Sequence, residues 1–425
     1  MRKKIYLCID LKSFYASVEC VERGLDPMKA NLVVADSERT EKTICLAVSV
    51  NMKKLGVKNR CRLFEIPKNI EYVIATPRMQ KYIDYSCAVY ELYLDFFSKD
   101  DVYAYSIDEC FIDITPYLNI YKKTPRQMAE FLLDKITGRI GVKASCGVGT
   151  NMYLAKIALD ISAKKSEDFI GELNEESFKK TLWNHQPLTD FWRIGPATQK
   201  TLNDMGLYTM GQIAWANQEK LYEKFGVDAE LLIDHAWGIE PVTITDIKEY
   251  KPKSNSLSQG QVLARDYSYQ SAEIIIKEMM DLLSLQLVEK QLYTSNISLM
   301  IGYSNRFNLP ASTGSITMDI DTNSDSVLIE NVVKLYRRLV NKTAMVRRVN
   351  VSCNKLTDTP INYIQSNLFE EINRKDIQKD NAAQKAIIEI KKRFGKDAVL
   401  KGMNFEEGAT TRERNHQIGG HKSGK

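Results

Sequence analysis

Strands alternating with helices over the first 170 residues, short helices after Phe191 and a βαββαβ order from Ser256 onward predict a multidomain α+β chain. At 425 residues the chain exceeds one ordinary core, and about two to four domains are expected. An apolar content of 44% with 27% charged residues describes a globular protein. The formal net charge of +5 is unevenly placed. From residue 251 onward there are 26 Lys/Arg against 19 Asp/Glu, a net of +7, which leaves −2 for the first 250 residues. A basic part beside an acidic part suits a protein that holds a polyanion with one and cations with the other. None of the eight cysteines forms a CxxC pair, and Cys8, Cys110 and Cys146 sit in apolar runs. Buried thiols are expected there, not disulfides or a zinc site. The apolar run after the basic start stops at Asp10, too short for a signal peptide, and no stretch approaches the ~18 apolar residues of a membrane span. A cytosolic location is expected.

The first strand, Lys4 to Ile9, leads into a helix with Ser13 as N-cap and Phe14, Val18 and Val21 on one face. Small segments follow, with strands at Asn31–Ala35 and Ile44–Val48 and a turn at Lys54-Leu55-Gly56. A helix from Met79 to Phe97 carries Tyr82, Tyr85, Tyr90 and Tyr93, read as packing. Next come a strand to Ile107, a return strand Cys110–Ile114, a helix Pro125–Gly138, a strand Val142–Gly147 and a helix Met152–Ala163. Ile194-Gly195-Pro196 and Gly206-Leu207-Tyr208-Thr209 resemble a helix-hairpin-helix, in which a glycine turn offers backbone N–H groups to a phosphate. After a polar connector at Thr245–Ser258, the βαββαβ unit runs from Ser256 to Lys355. The last part keeps one helical period, Ala382–Phe394, and ends in a Gly/His/Lys/Ser-rich segment expected to be disordered.

Three acids stand out. Asp108 and Glu109 end one apolar strand, and Asp10 ends another. Two acids side by side at a turn repel each other unless a cation neutralises them. Oxygen ligands without a nearby histidine suit Mg²⁺. For the acids alone, solvated turns are the competing reading.

The surrounding residues decide between them. Asp10-Leu11-Lys12-Ser13-Phe14-Tyr15-Ala16-Ser17-Val18-Glu19 and Tyr105-Ser106-Ile107-Asp108-Glu109-Cys110-Phe111-Ile112-Asp113 resemble the two metal-binding motifs of Y-family (UmuC/DinB-type) translesion DNA polymerases. Ser145-Cys146-Gly147-Val148-Gly149-Thr150-Asn151-Met152-Tyr153-Leu154-Ala155-Lys156-Ile157-Ala158 is similar to the family's next landmark. The resemblance implies a right-hand polymerase. Its palm, a mixed sheet plus helices, would cover 1–23 and 78–170, with small fingers at 24–77 and a helical thumb with the helix-hairpin-helix at 171–240. A linker at 241–255, a βαββαβ little finger at 256–356 and a clamp-binding, partly disordered tail at 357–425 complete it. Tyr15, Lys53 and the tail favour the UmuC-like branch.

The implied reaction joins a primer 3′-OH to the α-phosphorus of a deoxynucleoside triphosphate, with two Mg²⁺ ions held by Asp10, Asp108, Glu109 and the Leu11 main-chain carbonyl. Backbone N–H groups from Lys12 to Tyr15 would cradle the triphosphate. Tyr15 aligns with the family's steric gate under the sugar, and Phe14 lies beside it, with core packing as its competing role. Lys53 matches a basic position that reaches the β/γ-phosphates, although Val50 replaces a tyrosine often found nearby. One extra residue after the Lys156-Ile157-Ala158 motif makes Lys164 the second phosphate-binding candidate, with Lys165 next. Arg193 and Gly195 would contact DNA from the thumb; the family often has Gly-Ile-Gly where this chain has Arg193-Ile194-Gly195. Arg265, Arg306, Arg347 and Arg348 are candidates on the little finger, though the last two should point to opposite faces. Small residues at Ala47, Ser49 and the Gly56-Val57 turn suit a roomy site. Gln365, Leu368 and Phe369 resemble the QxxLF peptide that docks on the bacterial sliding clamp.

Primer-template DNA, dNTPs, the clamp and an accessory subunit or recombinase filament are the expected partners. Repair of DNA damage within the SOS response is the expected setting. Two other classes compete: a catalytically silent DNA-binding or scaffolding relative, and a palm-type nucleotidyl cyclase. The presence of all three acids disfavours the first, and the helix-hairpin-helix with a basic βαββαβ domain disfavours the second.

Overall fold

The computed structural model describes residues 4–36, 38, 40–252, 255–360 and 374–424. The chain forms two compact units, residues 1–250 with 421–425, and residues 251–420.

In the first unit, strands β1 (Tyr6–Leu11), β2 (Leu32–Val34), β3 (Ala47–Val48), β4 (Val73–Ala75), β5 (Val102–Ala104), β6 (Glu109–Asp113), β7 (Ala144–Gly149) and β8 (Ile170–Leu173) build two sheets. The larger has the order β5-β6-β1-β7-β8 and the smaller β3-β2-β4. β1 lies antiparallel between β6 and β7, with Asp10 opposite Glu109 on one side and Ser145 on the other. β1 reads as a near-continuous apolar run because both faces are covered. One face receives the helix Met152–Ile157 at very close range. A Cβ at Gly147 would lie 2.0 Å from the Ala155 carbonyl oxygen, and one at Gly149 would lie 2.1 Å from the Ala155 nitrogen. Those two positions therefore admit only glycine, which is the physical content of the third motif. The helix continues as one turn of π-helix, Ala158–Ser162.

Three local expectations are corrected. β5 ends at Ala104, not Ile107, because the amides of Tyr105 and Ser106 both bond the Glu109 carbonyl and close a tight turn. Ser13 does not cap its helix; it takes φ 46° with no side-chain capping bond. Ser49 is buried within the smaller sheet's unit, donating to the Ala30 carbonyl at 2.7 Å and accepting from the Leu32 amide at 3.2 Å, so it lines no open space.

The helical region after Asn174 packs around Phe178, Phe191, Leu202, Ile213, Leu221 and Leu232. Its hairpin joins the helices Pro196–Asp204 and Met210–Ala214. Arg193 adopts φ 70°, the conformation that favours glycine, and its guanidinium lies 4.9 Å from the Trp192 ring centre. A residue other than glycine held in that conformation costs about 1–3 kcal/mol.

The second unit contains β9 (Leu257–Tyr267), β10 (Thr294–Tyr303), β11 (Ser312–Thr322) and β12 (Val346–Asn354) in the order β11-β10-β12-β9. The helices Tyr269–Glu289 and Asp325–Leu339 interleave with them as the βαββαβ reading expected and share the core on one sheet face. The helix expected at Ala382–Phe394 is present and longer, Arg374–Phe394, and polar groups dock the segment after it. Buried Glu278 accepts from the Asn404 side chain at 2.8 Å, the Thr410 amide at 2.7 Å and the Thr411 amide at 3.2 Å. Docking through buried polar groups leaves no apolar period to read, since each such group needs only a partner.

Candidate active site

The antiparallel register of β1 and β6 places Asp10 beside Glu109, and the Leu11 amide bonds the Asp108 carbonyl at 2.9 Å. All three acids therefore meet at one end of the large sheet. The turn that carries them is braced twice. Ser106 Oγ donates to Asp108 Oδ1 at 2.7 Å, and Ser86 Oγ, on the helix Met79–Leu94, donates to the Ile107 carbonyl at 2.6 Å.

The acids are not equivalent. Burial raises the Asp10 carboxyl, and the charges of Asp108 and Glu109 raise it further, to about 7, against a smaller pull from Lys156. Asp108 is half-buried, with one carboxylate oxygen taken by Ser106. Glu109 is engaged: its Oε2 takes a bond from Lys156 Nζ at 2.8 Å and its Oε1 one from Cys8 Sγ at 3.2 Å. Lys156 also reaches Asp160 at 3.1 Å. Lys156 and Cys8 were missed as site residues. The available signal was a lysine amid buried apolar positions of the helix that the glycines admit to the sheet.

Among the described residues no three His, Cys, Asp or Glu side chains form a ready cage for a metal ion. The donor chemistry of Asp10 and Asp108 nonetheless fits a hard divalent cation: oxygen ligands whose mutual repulsion such an ion relieves. Glu109 fits less directly, because it is already paired with Lys156.

Three lysines share the neighbourhood. Burial lowers Lys53, offset in part by Asp10, with Lys164 lowering it further. Lys12 is lowered by burial too, again offset by Asp10, and feels both Lys164 and Lys53. Lys164 Nζ lies 3.5 Å from Asp160. The Lys12 side chain, unassigned from sequence, lies 4.0 Å over the Phe169 ring. The Lys12 amide is committed to the Lys143 carbonyl at 2.8 Å, so the expected backbone cradle shortens to Ser13 through Tyr15. Phe14 is buried in the core, and the half-buried Tyr15 ring stacks on Tyr82 at 4.5 Å. The Lys165 side chain lies outside the described residues, as do Gln365, Leu368 and Phe369.

On the second unit, Arg348 extends an outward row with Asn350, Ser352 and Asn354, while Arg347 leaves that row and lies 3.7 Å from Asp266. Arg306 approaches the same aspartate at 3.9 Å, and Arg265 lies exposed beside Tyr267. Arg306 and Arg347 thus share one counter-charge, next in the chain to Arg265.

Residues 9–160 match the impB/mucB/samB family, and residues 254–368 match the impB/mucB/samB family C-terminal domain. The "Putative UV-damage repair protein UvrX" of Bacillus subtilis (strain 168) is 32% identical, over 99% of this chain and 98% of its own length. The chain belongs to this Y-family of DNA polymerases. DNA polymerase IV 2 of the same organism is 31% identical over 99% of both chains, and DNA polymerase IV 2 of Halalkalibacterium halodurans is 28% identical over 98% of this chain and 99% of its own. A solved Y-family DNA polymerase chimera of Dbh and Dpo4 superposes with a TM-score of 0.63 at 20% identity, over 84% of this chain and all of its own, which speaks to the fold. Y-family architecture accounts for the mixed α/β palm, small fingers, helical thumb and little finger. All eight cysteines are free, and seven are buried, as expected of thiols in apolar strands. Among the described residues no helix is long and apolar enough to cross a membrane.

Proposed function

We propose that the chain extends a primer 3′-OH with deoxynucleotides opposite damaged template bases, by a two-metal phosphoryl transfer at Asp10, Asp108 and Glu109. The observation that carries this reading is the register that sets Asp10 opposite Glu109, with the Leu11 amide bonded to the Asp108 carbonyl, so that three acids share one end of the sheet. A protein that buries an acid against two others has built a site needing added positive charge.

Asp10, Asp108 and the Leu11 carbonyl would hold two Mg²⁺ ions. Bound there, the ions lower the pKa of the attacking hydroxyl and neutralise the leaving pyrophosphate. Glu109 serves the primer side, and Lys156 holds it in place until that role is needed. The amides from Ser13 to Tyr15 and the ammonium groups of Lys53 and Lys164 hold the triphosphate; Lys12 adds a third cation to that pair. Tyr15 closes the space a 2′-OH would occupy, backed by the buried Phe14. Arg193 and the Gly195 turn take template phosphates, and Arg265, Arg306, Arg347 and Arg348 the duplex, with Arg306 and Arg347 partly offset by Asp266. Gln365, Leu368 and Phe369 dock on the sliding clamp, and an accessory subunit or recombinase filament is a further partner. The domain limits stated from sequence are proposed with this reading, and the described residues 374–420 group with the second unit. A cytoplasmic, nucleoid-associated location follows from a DNA substrate.

Primer extension with dNTPs and Mg²⁺ on undamaged and abasic templates tests the reading. Synthesis on both, lost in Asp108→Ala, is expected. Duplex binding without synthesis would favour a silent relative, and cyclic nucleotide production without a primer would favour a cyclase.

A further inference from the structure

Glu19 is the least expected side chain in the first unit. It is wholly buried on the helix Phe14–Val21, one turn beyond Tyr15, where a charged side chain is rarely found without partners. Its carboxylate is saturated by donors. Arg78 approaches it in a two-pronged fashion, Nε to Oε1 at 2.9 Å and Nη2 to Oε2 at 2.8 Å. Tyr82 OH donates to Oε1 at 2.8 Å, and Arg23 Nη1 donates to Oε2. Burial works against the charge, but the bonds from Arg78, Tyr82 and Arg23 outweigh it and hold the acid below its usual range.

The far side of this cluster is Tyr15. Tyr82 is fully buried, and its ring stacks on the Tyr15 ring at 4.5 Å between centres with 17° between planes. The Tyr82 ring thus has one end fixed by its hydroxyl and one face against Tyr15. Arg78 is in turn covered by the segment Ser423–Gly424. The Gln80 amide bonds the Ser423 carbonyl at 2.9 Å, and a Cβ at Gly424 would lie 2.7 Å from Arg78 Cβ. A buried ion pair contributes little net stability compared with apolar packing, so its retention calls for a positional reason. A ring that excludes one hydroxyl must be held to within about 0.5 Å, which needs support behind it.

We propose that Tyr82 and Glu19 are positioning residues for sugar selection: Glu19 locks Tyr82 through its hydroxyl, and the Tyr82 ring fixes the plane of Tyr15. This rests on Tyr15 being the sugar gate, as proposed above. Exclusion of the ribose 2′-OH is then a property of the Tyr15–Tyr82–Glu19 stack, with Arg78 as the counter-charge that keeps Glu19 ionised and oriented. Neither Tyr82 nor Glu19 touches the nucleotide.

The test measures kcat/KM for a dNTP and for the matching rNTP, in primer extension by the full chain and by Tyr15→Ala, Tyr82→Leu, Tyr82→Phe and the double variant Tyr15→Ala/Tyr82→Leu. Tyr82→Leu should lower the deoxy/ribo ratio roughly three- to tenfold, the worth of one aromatic pair, through a rise in rNTP use. A destabilised enzyme loses both substrates; it does not gain one. Tyr82→Phe keeps the ring and loses only the bond to Glu19. It should fold, and its ratio should fall by roughly half that effect on a logarithmic scale. Once Tyr15 is alanine, Tyr82→Leu should change the ratio no further. A Tyr82→Leu or Tyr82→Phe enzyme with unchanged ratio, or equal loss for both sugars, overturns the inference while a relaxed Tyr15→Ala still upholds the gate. An unchanged ratio in Tyr15→Ala removes the gate and the inference together.

Discussion

Replacing Asp10 by asparagine should stabilise the protein while abolishing its chemistry. The Asp10 carboxyl is pushed up to about 7 by burial first, then by Asp108 and Glu109. An acid with a higher pKa folded than unfolded binds its proton more tightly in the fold. Its cost is therefore absent below the unfolded pKa, grows as pH rises between roughly 4 and 7, and stays constant above. A shift of about three units at about 1.4 kcal/mol each sets the full cost near 4 kcal/mol at pH 8, against about 1 kcal/mol at pH 4.5. Asparagine keeps the shape and removes the charge. In divalent-free buffer, Asp10→Asn should gain up to about 4 kcal/mol at pH 8, seen as a rise of roughly 5–15 °C in the melting of the first unit. At pH 4.5 the gain should shrink to a quarter of that. Mg²⁺ should raise the melting point of the wild type at pH 8 and do little for the variant. Thermal unfolding at both pH values reads all of this. A variant that melts lower at pH 8, or whose gain is the same at both pH values, would refute the reasoning.

Other substitutions separate roles in the same structure. Lys156→Met strands Glu109 without its cation 2.8 Å away, and denaturant unfolding should show a loss of about 3 kcal/mol. Arg348→Ala should weaken duplex binding and reduce the slope of log K against log salt by about 1. Arg347→Ala, whose charge Asp266 partly offsets at 3.7 Å, should reduce that slope by less than Arg348→Ala in the same titration. The double change Leu368→Ala with Phe369→Ala should abolish stimulation of primer extension by the bacterial clamp without lowering clamp-free synthesis; full stimulation would remove that peptide from the account.

The order of elements was legible because most of them obey periodicity. The βαββαβ unit follows from apolar alternation in β10 and β12 and from two amphipathic helices, and Asp10 announces itself by ending a run in which every preceding strand residue is buried. What escaped reading depends on partners far away in sequence. Lys156 looked like a helix lysine until Gly147 and Gly149 let its helix approach the strand that faces Glu109. Glu19 carries no signal of burial in the sequence, and only the fold brings Arg78 and Tyr82 to it. The segment around Asn404 and Thr410 docks through hydrogen bonds to Glu278, a kind of contact that leaves no repeat in the chain. The short β5 reflects a turn closed by two amides on one carbonyl, which hydrophobic patterning does not encode.

The central claim, that Asp10, Asp108 and Glu109 together hold two divalent ions against a bound nucleotide, is tested most directly by counting them. Mn²⁺ bound per chain would be measured in a complex with a dideoxy-terminated primer-template and the next correct dNTP. Two ions in the wild type, with at least one lost in Asp108→Ala, is the predicted result. A stoichiometry that Asp108→Ala leaves unchanged would contradict the account.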